Sequence, residues 1–202
     1  MKKRYLVYLS NKQTQKQKPN DSKDILQKLR LMLEIYSNNE EIRDIRVSSY
    51  FLELDIGTDQ NTIFLYNNED FLSSIRSIGE CLFIEDITEE RKNRSTEETI
   101  SSAIFLFNME RFWKSHEVLE NAWKDAFGST KRLLNGIILV DAAYVHLQKG
   151  ELDIYFSILR RSLDKFREPP EVLFNINMKF LVKSIENILS EKKASYFKIF
   201  LI

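Results

Sequence analysis

The spacing of apolar positions changes near residue 90 of this 202-residue chain. Upstream, alternating or β-branched runs are separated by helical stripes; downstream, only helical spacing remains. Arg4 to Ser10 reads as a strand with Tyr5, Val7 and Leu9 on one face and Leu6 and Tyr8 on the other, so both faces are expected to be covered. After the polar run Asn11 to Asn20, read as a loop, Asp21 is placed to cap a helix whose apolar face is Ile25, Leu26, Leu29, Leu33 and Tyr36. Ile42 to Ile56 is read as one long strand or a bent pair interrupted near Ser48 and Ser49, with Gly57 ending the run. Ile63, Phe64 and Leu65, then Phe71, Leu72, Ile75 and Ile78, suggest a second helix stopped at Gly79, and Cys81 to Ile87 a last strand. This order predicts a small ferredoxin-like α/β sandwich over residues 1–90.

The charged run Thr88 to Arg94 reads as a linker, and residues 91–202 as an all-α bundle, making the chain α+β overall. Ser95 and Glu98 form a capping box ahead of a helix that reaches about Asn108. A second helix is expected from near Glu110 to Gly128. In a third, opened by Ser129 or Thr130, apolar residues cover nearly the whole circumference, which predicts a buried central helix. Gly150 stops it; Leu152, Tyr155, Phe156, Leu159, Leu163 and Phe166 form the stripe of a fourth helix. Pro169 and Pro170 force a break before a fifth, Val172 to Leu189. The apolar end Ser195 to Ile202 must dock, either by extending the last helix onto the bundle or by adding a strand to the N-terminal sheet.

Thirty basic and thirty acidic residues cancel, so no global field favours nucleic acid or an anionic membrane. A single cysteine, Cys81, permits no internal disulfide and suits a reducing cytoplasm; its apolar surroundings in sequence read as a buried structural thiol. No stretch approaches a signal-peptide core or a membrane span, which gives the expectation of a soluble, cytoplasmic protein. The high charge content also suits a thermophile.

Unusual residues concentrate between Phe105 and Asp125, where Trp113, His116 and Trp123 fall within eleven residues. On a helix, Phe112, His116, Leu119, Trp123 and Phe127 form one stripe and Glu120 falls inside the same apolar arc, so a histidine and an acid are expected to point inward. His116 and Glu120, at i and i+4, have the spacing at which two side chains ligate one metal or bond each other. Glu117 is placed to assist Glu120. On the third helix His146, the only other histidine, shares a face with Asn135. Asp141 is a second inward acid, expected to meet a tyrosine hydroxyl or a lysine or arginine of a neighbouring helix.

The run Phe107, Asn108, Arg111, Phe112, Trp113, the HEVLE of His116 to Glu120, and Trp123 resembles the family known as domain of unknown function 309. Asn135 and Gly136 stand at that family's Gln-Gly pair, and His146, Leu147 and Gly150 close the stretch. The resemblance covers about residues 95–166 and implies a helical bundle with tetratricopeptide-like hairpins, and no activity. Leu139 stands where the family has a polar residue and Asp141 where it has a small one. Residues 1–90 carry no resemblance.

Two functional readings follow. One is a non-enzymatic helical interaction or binding module with a buried His116–Glu120 pair, taking a protein or peptide partner and open to homodimerisation. The other is a metal-dependent hydrolase or other small enzyme centred on His116, Glu117 and Glu120. Trp113, His116, Glu117, Glu120, Trp123, Asn135 and His146 are the candidate binding residues, and His116 and Glu120 the candidate metal ligands. No cofactor is predicted beyond a divalent metal under the second reading. GxGxxG, P-loop, CxxC, HExxH and GxSxG signatures are absent.

Overall fold

The computed structural model describes residues 3–12, 16–37, 39–59, 69–87 and 95–202. Ile63 to Leu65 and the linker Thr88 to Arg94 lie outside them. Residues 1–92 with 148–150 form one compact unit, and residues 93–147 with 151–202 a second. No helix among the described residues is long and apolar enough to cross a membrane.

In the first unit the elements are β1 (Lys3–Ser10), α1 (Ser22–Tyr36), β2 (Glu40–Val47), β3 (Phe51–Thr58), α2 (Glu69–Ser74) and β4 (Cys81–Asp86). The strands pair antiparallel in the order β2-β3-β1-β4. The bent pair near Ser48 and Ser49 is a true turn, and Ser48 Oγ accepts the amides of Tyr50 and Phe51. Period-two alternation sends Tyr5, Val7, Leu9, Leu52, Leu54 and Ile56 to one core face, where Leu29, Phe71 and Ile75 meet them. Leu6 and Tyr8 on the other face are also buried, as the doubly apolar strand implied. That face also holds charges: Arg46 and Glu53, each 2% exposed, pair at 3.0 Å, and Arg4 grips Asp55 with two hydrogen bonds. Two local expectations change. Asp21 turns its carboxylate back to the Lys18 amide instead of capping α1. Cys81 is half-buried, and burial pushes its thiol pKa up.

The second unit contains α3 (Thr96–Asn108), α4 (Phe112–Lys124), α5 (Gly128–Gln148), α6 (Leu152–Lys165) and α7 (Met178–Glu191). The Ser95–Glu98 capping box opens α3. Central α5 is buried nearly all round, with Leu134, Ile137, Val140, Ala143 and Tyr144 at zero exposure. A Cβ at Gly136 would strike the Phe166 ring that follows α6, so this glycine sets how closely the two segments approach.

After Pro170 the chain makes a hairpin before the last helix: β5 (Val172–Leu173) pairs with β6 (Ile176–Asn177). The expected helix over Val172 to Leu189 therefore starts six residues later, at Met178. Phe174 and Asn175, both left-handed with φ 46° and 64°, form the hairpin's two-residue turn, and Asn177 then caps α7 through the Phe180 amide. The apolar C-terminus follows neither expected route. It runs extended along the bundle: Ile199 is 2% exposed, Leu201 bridges Ile176, and the Ile202 amide donates to the Asn175 carbonyl. Asn108 holds it midway, accepting from the Ile199 N–H and donating to the Ile199 carbonyl, both at 2.8 Å.

Two stability predictions follow from this packing. Gly136→Ala gains helix propensity of about 1 kcal/mol yet should destabilise the helical unit by about 1–3 kcal/mol net through overpacking against Phe166; a denaturant titration reads the sign. Deleting Tyr196 to Ile202 removes the buried Ile199 and the Phe197 contact and should lower solubility and cost at least about 2 kcal/mol, measured as a fall in melting temperature.

Candidate functional site

Helix α4 decides which candidate residues are available. The turn Met109 to Arg111, with Glu110 left-handed at φ 60°, reverses the chain after α3. From there Phe112, Ser115, Leu119 and Ala122 are buried. This stripe is rotated from the one expected through His116 and Trp123. The small side chains of Ser115 and Ala122 allow a close helix approach, whereas the indoles need room and are left on the flank. Phe127 lies beyond the end of α4 and is 82% exposed.

The His116–Glu120 pair is consequently not buried. Nε2 of His116 stands 3.5 Å from Glu120 Oε1, with the side chains 20% and 46% exposed. A polar contact so exposed contributes about 0–1 kcal/mol. The ring is nonetheless held: Nδ1 donates to the Ile138 carbonyl of α5 at 3.3 Å, and the Trp113 indole lies parallel to it, 5.8 Å between centroids and 5° between planes. Trp123 carries the Lys131 ammonium over its ring at 4.6 Å. Trp113, His116, Glu120, Trp123 and Lys131 thus belong to one half-exposed α4–α5 surface. Glu117 lies 3.9 Å from the Lys114 ammonium.

The third-helix candidates separate. Asn135 is half-buried one turn before Ile138. His146 lies eight residues past Ile138, about 12 Å along the axis. It bonds Glu151 at 2.5 Å across the α5–α6 turn. Among the described residues no three of His, Cys, Asp and Glu converge on a metal position. His116 and Glu120 supply two ligands where a protein-held zinc takes three or four.

The most consequential polar contact is deeper. Among the described residues Asp141, at zero exposure, bonds neither a tyrosine nor a cation: its Oδ2 lies 3.0 Å from Oγ of Ser115, itself at zero exposure. The same Oγ is 2.9 Å from the Ala103 carbonyl of α3. One hydroxyl has one hydrogen. It donates to one acceptor at a time, the Ala103 carbonyl or Asp141 Oδ2, and so bridges α3 and α5. Burial pushes the Asp141 carboxyl well above its ordinary value, while the Ser115 contact pulls the other way. The relay ties α3, α4 and α5 together. Sequence reasoning missed Ser115, whose signal was a small polar residue three positions after Phe112 and four before Leu119, on the buried line.

Comparisons with known proteins bear on this same surface. The sequence model of the family described as Domain of unknown function (DUF309) matches residues 100–157, within the resemblance read from the sequence and covering all of α4 and α5. The N-terminal region has no family match. A crystal structure of a conserved hypothetical protein from Thermus thermophilus is similar at 28% identity, covering 45% of this chain and 94% of that one, with a TM-score of 0.40. No curated protein matches the chain.

The relay fixes a pH dependence. Unfolded, Asp141 ionises near its ordinary 3.8; folded, it holds its proton to higher pH. The folded state therefore binds more protons above that value, and stability falls as pH rises until the folded group ionises too. Asp141→Asn, whose amide can donate to Ser115, should remove this part of the fall, so thermal melts at pH 5 and pH 8 should differ less than in the parent. Ser115→Ala leaves the buried carboxyl unpaired and should cost about 1–3 kcal/mol.

Proposed function

We propose that the chain is a non-enzymatic interaction module whose helical unit presents the α4–α5 surface to a protein or peptide partner. The observation that carries this reading is the Trp113–His116 stack. Two parallel rings, one braced by the Ile138 carbonyl, form a rigid, partly exposed apolar plate beside the acid Glu120. Tryptophans on a preorganised surface lose little entropy on binding and dominate interface energetics. Trp123 under Lys131 and exposed Phe127 extend the plate. Hairpins of tetratricopeptide type, a ferredoxin-like first unit on the β2-β3-β1-β4 topology, and a cytoplasmic location consistent with the lone Cys81 complete the proposal.

One observation favours a second reading. A histidine whose Nδ1 donates to a main-chain carbonyl is oriented as metal-ligating histidines are, with Nε2 turned outward to Glu120. A metal-assisted hydrolase would use that nitrogen, and would need ligands beyond this pair to reach the three or four a protein-held metal takes.

Selection of displayed peptides against the whole protein separates the readings. Peptides enriched on the parent should lose about tenfold or more in affinity for a Trp113→Ala, Trp123→Ala double variant that keeps its helical circular dichroism. Equal retention by the variant would overturn the interaction reading. Stoichiometric zinc, manganese or iron in purified protein, lost in folded His116→Ala, would favour the second.

A further inference from the structure

The C-terminal strap, Ser195 to Ile202, is held as a bound peptide would be. Its main chain is read along its length: Tyr144 Oη donates to the Ser195 carbonyl at 2.7 Å, Asn108 pairs with both main-chain groups of Ile199, and the Ile202 amide donates to Asn175 at 2.7 Å. Side chains dock as well: Tyr196 stacks on Phe112 and Tyr144, Phe197 packs against Phe107 and Tyr144, and Ile199 enters the core. Main-chain hydrogen bonds together with side chains seated in the host surface are how an extended peptide is recognised.

The connection to the strap is short. Helix α7 ends at Glu191, and Lys192 to Ala194 lead directly into the bound segment. Lys192 is left-handed, φ 51° and ψ 30°, a region that non-glycine residues seldom occupy. A brief, strained hinge ahead of a separately docked element is the arrangement that invites exchange between copies.

We propose that the groove marked by Asn108 and Tyr144 takes the strap of a second copy in exchange for its own, giving a reciprocal dimer. Each copy then supplies the residues that complete the other's core. The proposal is independent of the α4–α5 surface.

Light scattering after size exclusion, on the full chain warmed and cooled over a concentration series, tests it. The parent should dimerise with concentration. Lys192→Pro, which cannot adopt a positive φ, should tighten the dimer by about tenfold or more. Lys192→Gly should shift the balance to monomer, and deletion of Tyr196 to Ile202, which removes the exchanged segment, should abolish the dimer with helical circular dichroism intact. Monomer at every concentration in both the parent and Lys192→Pro would overturn the proposal. A dimer equally tight in the deletion variant and in Lys192→Gly would overturn it as well, and those two variants decide the matter where the proline variant fails to fold.

Discussion

A single hydroxyl, on Ser115, has two acceptors within reach and joins three helices of the helical unit. The hydroxyl bridges the Ala103 carbonyl of α3 and the Asp141 carboxyl of α5, both fully buried. A neutral carboxyl at the centre of α5 can lie among Val140, Ala143 and Tyr144 where an ionised one would demand a cation. The contact also fixes the rotation of α4. With Ser115 turned to α5 and α3, Trp113 and His116 are carried around to the flank, and the aromatic plate becomes surface. The relay is therefore upstream of any function the α4–α5 surface performs.

Element order was legible because it depends on local rules. Period two in β1, β-branched runs broken by Ser48 and Ser49, and the Ser95–Glu98 box each act within a few residues. The stripe on α4 was not, because two criteria compete there. Apolar mass points to Trp123 and His116; close packing favours Ser115 and Ala122. Only the neighbouring helices decide between them, and they lie 12 and 26 residues away from Ser115 in sequence. The same limit hid the paired charges of the sheet. Arg46, Glu53 and Asp55 alternate with Ile45, Leu52 and Leu54 as residues of a solvated face would, and nothing local distinguishes a solvated face from one closed by ion pairs.

The chain after Pro170 shows a different failure of local reading. Val172 to Leu189 has helical spacing, but its first residues are needed elsewhere. Phe174 and Asn175 accept left-handed backbone so that β6 can offer an edge to Leu201, and Asn177 starts the helix instead. A turn with a non-glycine at positive φ is poor in isolation. It persists because the strap covers it, and the strap in turn has no partner for its Leu201 and Ile202 main chain without that hairpin. Neither segment specifies its structure alone, so neither could be read alone.

Asn108 joins these two problems. It ends α3, the helix whose Ala103 carbonyl anchors the Ser115 relay, and its amide holds the strap at Ile199. Both contacts depend on the rotation of α3: turning it to release Ile199 would also withdraw Ala103 from Ser115. Tyr144 makes the corresponding link on α5, three residues from Asp141, with its hydroxyl on Ser195 and its ring stacked on Phe112 of α4. The strap and the buried acid are thus attached to the same helices one turn or so apart. Ionising Asp141 would strain the relay that holds α3, α4 and α5 in register, and the groove that receives the strap is made from those three helices. Coupling of this kind requires no added element, because the register that satisfies the buried acid is also the register that presents Asn108 and Tyr144 to the strap.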